Sequence, residues 1–96
     1  MRQQLRIYTL APGRYNEFLE VWRHDVVPLR QRHGFDVVAA WADTEADRFV
    51  WVVAHDGDFA AAEQAYYDSP ERAALDPPPS AFIVAADTAF VDPVAT

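Results

Sequence analysis

The opening third of the chain, residues 5–41, changes its hydrophobic pattern twice, and these changes most constrain the fold. Residues 4–10 are β-rich, and the Pro-Gly pair at 12–13 ends this segment. Apolar and aromatic residues then recur at helical three-and-four spacing in one stripe, which contains Tyr15, Phe18, Leu19, Trp22, Val26, Leu29 and His33. Gly34 supplies a left-handed stop, and an apolar segment follows at once. The pattern predicts a strand, a long helix and a second strand.

Pro28 interrupts the predicted helix. Inside a helix it removes a backbone donor and crowds the carbonyl of His24, at a cost of ~3 kcal/mol or more. We interpret Pro28 as a kink that bends a long helix over a twisted sheet. The alternative is that the freed carbonyl of His24 accepts a hydrogen bond from a ligand.

The rest of the chain repeats the order of strand and helix. The predicted elements are a strand over 35–42, a hairpin turn over 43–47, a strand over 48–55, a helix over 59–68 capped by Asp58, a short helix from Ser69-Pro70 ending by 76, an extended proline crossing over 77–79 and a strand over 82–91. Two right-handed crossovers in one small sheet give an α+β, ferredoxin-like βαββαβ sandwich with strand order 4-1-3-2. Residues 1–96 are predicted to form a single domain.

The third predicted strand, Arg48 to His55, is apolar on both faces, which is typical of a strand buried on both sides. Helices can cover only one face of such a sheet. We therefore expect a homodimer in which the second face packs against the sheet of another subunit.

Composition excludes several classes of partner and site. The net charge is −7, there is no lysine and the eight arginines are scattered, so neither a nucleic-acid backbone nor an anionic membrane is an expected partner. No cysteine is present, which excludes disulfides, thiolate nucleophiles and Cys-ligated metals. The N-terminus lacks the apolar core of a secretory signal, and we expect a cytoplasmic protein.

The order and spacing of several segments together resemble the NIPSNAP family. These segments are Arg6, Tyr8, Pro12-Gly13, Glu17-Phe18-Leu19, Trp22, Pro28-Leu29-Arg30, His33-Gly34-Phe35, Trp41, the FVWVVAHD strand and the YYDSPE segment, and they span about residues 4–92. The resemblance implies a dimeric α/β barrel, in which two ferredoxin-like sheets close around a shared interior. It implies no particular activity, since the family has no agreed catalytic motif and related barrels include cofactor-free monooxygenases, isomerases, cyclases and haem-degrading enzymes.

His55 and Tyr8 are the candidate catalytic residues. His55 closes the third strand on the face that carries Phe49, Trp51 and Val53, where an imidazole can act as general base or anchor a ligand. The alternative is a strand-end residue that bonds the following loop. Tyr8 shares a face of the central first strand with Arg6 and can donate a hydrogen bond.

The candidate ligand-binding residues are Arg6, Trp22, Trp41, Trp51 and Tyr66. A buried arginine needs a partner, and Asp87 on the fourth strand is the predicted one, either as a structural ion pair or beside an arginine that grips a carboxylate or enolate. If the helices stand slightly away from the sheet, the aromatic rings line an apolar cavity suited to an aromatic ligand. The alternative is aromatic packing within the core.

No metal site and no cofactor are predicted, because no histidine pair has chelating spacing and no phosphate loop, dinucleotide motif or nucleophile elbow is present. Haem remains a candidate ligand, with His55 as its one candidate axial ligand.

The sequence leaves two candidate functions. One is a small-ligand carrier or an enzyme, whose chemistry would be acid-base or of the cofactor-free monooxygenase, isomerase or cyclase kind. The other is a non-catalytic interaction module with an aromatic core.

Overall fold

Four strands form one antiparallel sheet in the computed structural model, which describes residues 1–96. The strands are β1 (Arg2–Leu10), β2 (Asp36–Asp43), β3 (Arg48–His55) and β4 (Ile83–Val91). Their order across the sheet is β2-β3-β1-β4, which is the predicted 4-1-3-2 order viewed from the opposite edge. The α+β, ferredoxin-like sandwich predicted from the sequence is therefore confirmed, and the sheet of one chain is open rather than closed into a barrel.

The first crossover is helical throughout but not uniform. It consists of α1 (Tyr15–Val21), a π-helical turn (Trp22–Val26) and α2 (Val27–Arg32). The N–H of Val27 donates to the carbonyl of Trp22, five residues back, and Pro28 follows in the first turn of α2. Because Pro28 has no N–H, a widened turn before it accommodates the break in the hydrogen-bond ladder. Gly34, at φ +85°, then reverses the chain into β2.

Both α-helices of the second crossover begin at a side-chain cap. It contains α3 (Phe59–Asp68) and α4 (Pro70–Ala73). The Asp58 carboxylate accepts from the N–H of Ala61 at 3.0 Å, and the Ser69 hydroxyl accepts from the N–H of Arg72 at 3.1 Å. The extended crossing predicted for the prolines is shorter than expected, since a 3₁₀ turn (Pro79–Phe82) begins at the last of them. Proline suits that position because its φ is already helical.

All helices lie on one face of the sheet, and the core fills the space between the two layers. The twelve buried residues of this core are Tyr8, Leu10, Phe18, Val26, Leu29, Phe35, Phe49, Trp51, Val53, Phe59, Tyr66 and Phe82. In the register of β1 and β3, Arg6 lies opposite Trp51 and Tyr8 lies opposite Phe49. The two central strands therefore present a cation–aromatic pair and a purely aromatic pair side by side to the helices.

The other face of the sheet carries no helix and is largely apolar. Leu5 pairs with Val52, and Ile7 pairs with Val50, on this face. Trp41 of β2 lies beside Val50 and leaves 55% of its surface exposed. No helix in the structure combines the length and apolar character that crossing a bilayer requires.

Candidate functional site

A cavity of about 280 Å³ lies between the sheet and the helices. Its apolar wall includes Phe18, Trp22, Val26, Trp51 and Ile83, from both layers. The rings of Trp22 and Trp51 meet edge to face, with centroids 5.6 Å apart. The cavity volume is close to the lower end of the range for small-molecule sites, and its apolar wall with a few polar groups is typical of them.

Arg6 is the centre of the polar wall. It lies on β1, where the alternation of a strand directs residues 4, 6 and 8 toward the helices. Its Nε donates to the Tyr8 hydroxyl at 2.8 Å, and its Nη1 donates to Gln4 Oε1 at 2.6 Å and to Glu63 Oε1 at 3.0 Å. Its Nη2 donates to the Tyr67 hydroxyl at 2.9 Å. Each nitrogen of this guanidinium thus has a partner.

Arg30 reaches the same carboxylate from the helical layer. Its side chain is 1% exposed, and its Nη2 lies 3.4 Å from Glu63 Oε1 and 3.2 Å from the Tyr67 hydroxyl. The guanidinium carbon lies 4.2 Å from the ring centroid of Tyr66 and 5.7 Å from that of Trp51. Cation–π contacts therefore hold a charged group among aromatic rings.

The residues around the cavity carry buried hydrogen-bond donors that have no partner. Five buried side-chain nitrogens find no hydrogen-bond partner, namely Trp22 Nε1, Trp51 Nε1, Arg30 Nε, Arg30 Nη1 and Arg72 Nε. All five belong to residues that line the cavity. Buried polar groups are nearly always paired in folded proteins. The unpaired ones of this protein all belong to residues around the cavity, which distinguishes the cavity from the rest of the core.

These surroundings shift the pKa of two side chains in the cavity wall. Burial disfavours the charged form of Arg6, but the oxygens of Tyr8, Tyr67 and Glu63 outweigh that effect and raise its pKa above the ordinary value. Burial raises the pKa of Tyr66, although Arg30 and Arg72 oppose the shift. At neutral pH the wall therefore carries a charged Arg6 and an un-ionised Tyr66.

The structure brings most of the predicted site residues together. Arg6, Tyr8, Trp22, Trp51 and Tyr66 all line the cavity. Trp41 does not, because its position in β2 directs it to the opposite, open face of the sheet.

His55 also lies apart from the cavity. In the register, Tyr8 pairs with Phe49 and His55 pairs with Arg2, so the two candidate catalytic residues are six positions apart along the strands. At about 3.3 Å per residue this separation is roughly 20 Å. The N–H of Gly57 donates to His55 Nδ1 at 2.9 Å, and the ring packs edge to face on Phe35 with centroids 5.1 Å apart. His55 thus makes the strand-end bond to the following loop.

The predicted pairing of Arg6 with Asp87 is wrong. In the register of β1 and β4, Arg6 lies opposite Thr88, while Asp87 lies opposite Ile7 and so faces the open side. The partner of Arg6 is Glu63, which approaches from α3. A one-residue difference in register moves a side chain to the other face of a sheet.

Sequence reasoning missed the three charged residues that surround Arg6 or the cavity, namely Arg30, Glu63 and Arg72. The stripe predicted from the sequence leaves Arg30 out, although Trp22, Val26 and Arg30 follow one another at i+4 spacing, which is a signal for one helix face. Glu63 and Tyr67 are likewise one helical turn apart on α3. No group of three or more His, Asp or Glu side chains is placed to hold a metal ion.

Comparison with known proteins identifies relatives in sequence and in structure. The family model described as NIPSNAP matches residues 3–96. An uncharacterized NIPSNAP domain protein from Burkholderia xenovorans is similar, with a TM-score of 0.83 at 20% identity and with 99% of this chain and 96% of that chain covered. A NIPSNAP family protein from Agrobacterium tumefaciens gives 0.85 at 15% identity, covering 97% and 92%.

A further neighbour is a structure described as an antibiotic biosynthesis monooxygenase, with a TM-score of 0.70 at 16% identity and with 99% of this chain and 100% of that chain covered. No match is found among curated proteins. At these identities the structural likeness establishes the fold but no activity.

Proposed function

This chain belongs to the NIPSNAP family, as its sequence indicated, and from that premise we propose that it binds a small aromatic or apolar ligand between its sheet and its helices. The observation that carries the proposal is the cavity of about 280 Å³ with two indole N–H groups, of Trp22 and Trp51, that lack protein partners. A core built only for packing would fill such a space and pair such donors.

The test uses the three indole N–H signals of the ¹⁵N-labelled protein. Trp22 and Trp51 line the cavity, whereas Trp41 lies on the opposite face and serves as an internal control. Titration with a panel of small aromatic compounds is expected to shift the signals of Trp22 and Trp51 and to leave that of Trp41 in place. If no compound shifts either signal, the alternative function as a non-catalytic interaction module is favoured instead.

Native mass spectrometry of the gently purified protein provides an independent readout. The unmodified protein is expected to carry a bound small molecule, seen as an added mass that is released when the protein is activated or denatured. Ala86 lines the cavity from β4, so Ala86→Trp is expected to fill the cavity and remove that mass together with the response to the panel. Ala61→Trp adds the same side chain at an exposed position of α3 and is expected to retain both. Retention of binding by Ala86→Trp would place the ligand elsewhere.

A second candidate function is cofactor-free proton-transfer chemistry at Tyr8. Arg6 is the donor in its hydrogen bond to the Tyr8 oxygen, which leaves the hydroxyl hydrogen of Tyr8 to be donated to a ligand. Arg6 would also stabilise the phenolate formed after transfer. The likeness in fold to a structure described as an antibiotic biosynthesis monooxygenase adds support.

Tyr8→Phe tests this second function, because it removes the hydroxyl and keeps the ring. Ligand released from the purified protein is incubated with fresh protein, and its conversion is followed by liquid chromatography and mass spectrometry. Loss of conversion with unchanged binding supports a proton-transfer role for Tyr8. Absence of conversion by the unmodified protein, or full conversion by Tyr8→Phe, contradicts it.

We also propose that the open face of the sheet is covered by a second copy of this chain. The face is apolar over both central strands, at Leu5, Ile7, Val50 and Val52, and it continues to the exposed Trp41. A continuous apolar face of this kind is typical of an interface. A copy related by a two-fold axis would present the same apolar face in return.

A further inference from the structure

The charges around the cavity do not balance. Arg6 and Arg30 share one carboxylate oxygen, Glu63 Oε1, at 3.0 and 3.4 Å. Arg72, which also lines the cavity, forms no ion pair. Three guanidiniums and one carboxylate therefore lie around the cavity, in a chain whose net charge is −7. Arginine cannot lose its proton in a protein, so the excess of positive charge persists at any working pH.

The unsatisfied groups are all of one kind. Each of the five unpartnered buried nitrogens is a hydrogen-bond donor, and none of the buried side-chain acceptors lacks a partner. Arg30 contributes two of these nitrogens at 1% exposure, since only its Nη2 is engaged. A ligand that complements this wall must accept hydrogen bonds. Water can accept them too, but water does not offset the charge.

The donors belong to one connected cluster. The Arg30 guanidinium carbon lies 5.7 Å from the Trp51 ring centroid, and that of Arg6 lies 5.8 Å from the same ring. The Arg72 guanidinium carbon lies 5.9 Å from the ring of Tyr66, which Arg30 also contacts. The cations and the indoles therefore belong to one part of the cavity wall, since the rings of Trp51 and Trp22 also meet at 5.6 Å.

We propose that the ligand of this cavity is an aromatic carboxylate, whose anionic group lies against Arg30 and Arg72 and accepts from the indole N–H groups of Trp22 and Trp51. This inference rests on the proposed ligand-binding function. The planar guanidinium matches the geometry of a carboxylate, and hydrogen bonds between the two ions are the strong ones. The ring of the ligand packs on the apolar wall at Phe18, Val26 and Ile83.

The experiment compares acids with their own neutral amides. Benzoate, phenylacetate and 3-phenylpropanoate are titrated into the ¹⁵N-labelled protein beside benzamide, phenylacetamide and 3-phenylpropanamide. Each pair has nearly the same shape and differs in charge. At least one acid is expected to bind about tenfold more tightly than its amide, or better, because hydrogen bonds to charged groups are the stronger ones. The signals of Trp22 and Trp51 are expected to move, and that of Trp41 to stay.

Variants separate the local cation from the overall charge. Arg30→Gln is expected to remove the preference for the acid while binding of the amide persists. Glu63 is not left without a countercharge in this variant, because it keeps its ion pair with Arg6. Arg72→Gln removes a cation that is in no ion pair and is expected to weaken acid binding even if Arg30→Gln fails to fold. Arg32→Gln makes the same charge change at an exposed position of α2 and is expected to leave the preference intact.

The outcomes distinguish the two proposals. If amides bind as tightly as acids, the cavity binds ligands but the assignment of a carboxylate is overturned. If inorganic phosphate moves the indole signals as well as the acids do, the aromatic body is not recognised and the assignment is likewise overturned. If no compound moves the signals of Trp22 and Trp51, both this inference and the proposed function fail.

Discussion

At the scale of the single residue, Glu63 determines whether two buried cations are tolerated. Its Oε1 lies within ion-pair distance of both Arg6 and Arg30, whose side chains are 9% and 1% exposed. Charged groups are rarely buried without a partner, because the loss of hydration has to be offset. Glu63 therefore stabilises the polar wall from α3, whatever the cavity binds.

Glu63→Gln is expected to lower the free energy of unfolding by about 2–3 kcal/mol, because it leaves two buried guanidiniums without a countercharge. Urea unfolding followed by circular dichroism measures the change. Glu20→Gln is the matched control, since Glu20 is 62% exposed and pairs only with Arg23 and His24 on the surface. The control should cost less than about 1 kcal/mol. Equal costs would contradict the structural role of Glu63.

The same cluster shows where sequence reasoning succeeds and where it ends. The alternation of β1 was enough to predict that Arg6 and Tyr8 share a face. The partner of Arg6 could not be predicted, because Glu63 follows it by 57 positions and meets it only through the packing of α3 on the sheet. Arg30 was within reach of prediction, since it follows Trp22 and Val26 at helical spacing, but a charged side chain was not expected in the buried stripe.

At the scale of the element, boundaries set by local chemistry were predicted well. β3 and α3 begin and end at the predicted residues, and Asp58 and Ser69 cap their helices as expected. The π-helical turn was not predicted, although Pro28 marked the irregularity. A proline indicates that the hydrogen-bond ladder must break, but the packing of the whole helix on the sheet determines how it breaks.

Gly34 joins the first helical segment to β2 at positive φ, and its substitution has two separable costs. In Gly34→Ala, the backbone conformation alone costs about 1–2 kcal/mol. The added methyl group would also lie 3.1 Å from His55 Nε2, a contact tighter than usual. We expect the total loss in the free energy of unfolding to exceed that of Gly13→Ala, where φ is +77° and nothing lies within 4 Å.

Urea unfolding of the two glycine variants, each with and without His55→Ala, measures both costs. In the His55→Ala background, the cost of Gly34→Ala is expected to fall to that of Gly13→Ala. Equal costs of the two glycine variants in the unmodified background would show that His55 does not restrict this turn.

The hairpin between β2 and β3 contributes a pH-dependent part of the stability. Hydrogen bonds from Arg48 lower the pKa of Asp43 below its ordinary value, with further help from the N–H of Ala46. Because the folded pKa is the lower one, this contribution is complete above the unfolded pKa of about 4 and is lost as the pH falls through the folded pKa.

Thermal melts of the unmodified protein and of Asp43→Asn test this dependence. The difference in Tm is expected to be constant between about pH 5 and pH 7 and to shrink below about pH 4. Arg48→Gln removes the same interaction and is expected to show the same pH profile. A difference in Tm that persists at low pH would exclude the ion pair as its source.

At the scale of the whole molecule, the two faces of the sheet have different roles. The helical face carries the cavity and the cations, whereas the open face carries a continuous apolar surface with Asp87 as a charged residue beside Ile7. The alternation of the strands predicted the apolar character of both faces, and the covering of the second face by another subunit stays a prediction. What it could not predict was the number of cations on the helical face, because that number depends on the rotation of two helices about their own axes.

A second copy on the open face predicts that the protein is a dimer in solution, and size-exclusion chromatography with light scattering measures this directly. Val50→Asp places a charge at the centre of that face, between Ile7 and Trp41 in the register, and is expected to give a folded monomer because burying an unpaired carboxylate is costly. Val94→Asp makes the same change at an 84% exposed position outside the sheet and is expected to remain a dimer. A monomeric unmodified protein, or a dimeric Val50→Asp variant, would overturn the sheet-to-sheet assembly. The proposed ligand site would remain in that case, because every residue that lines the cavity comes from a single chain.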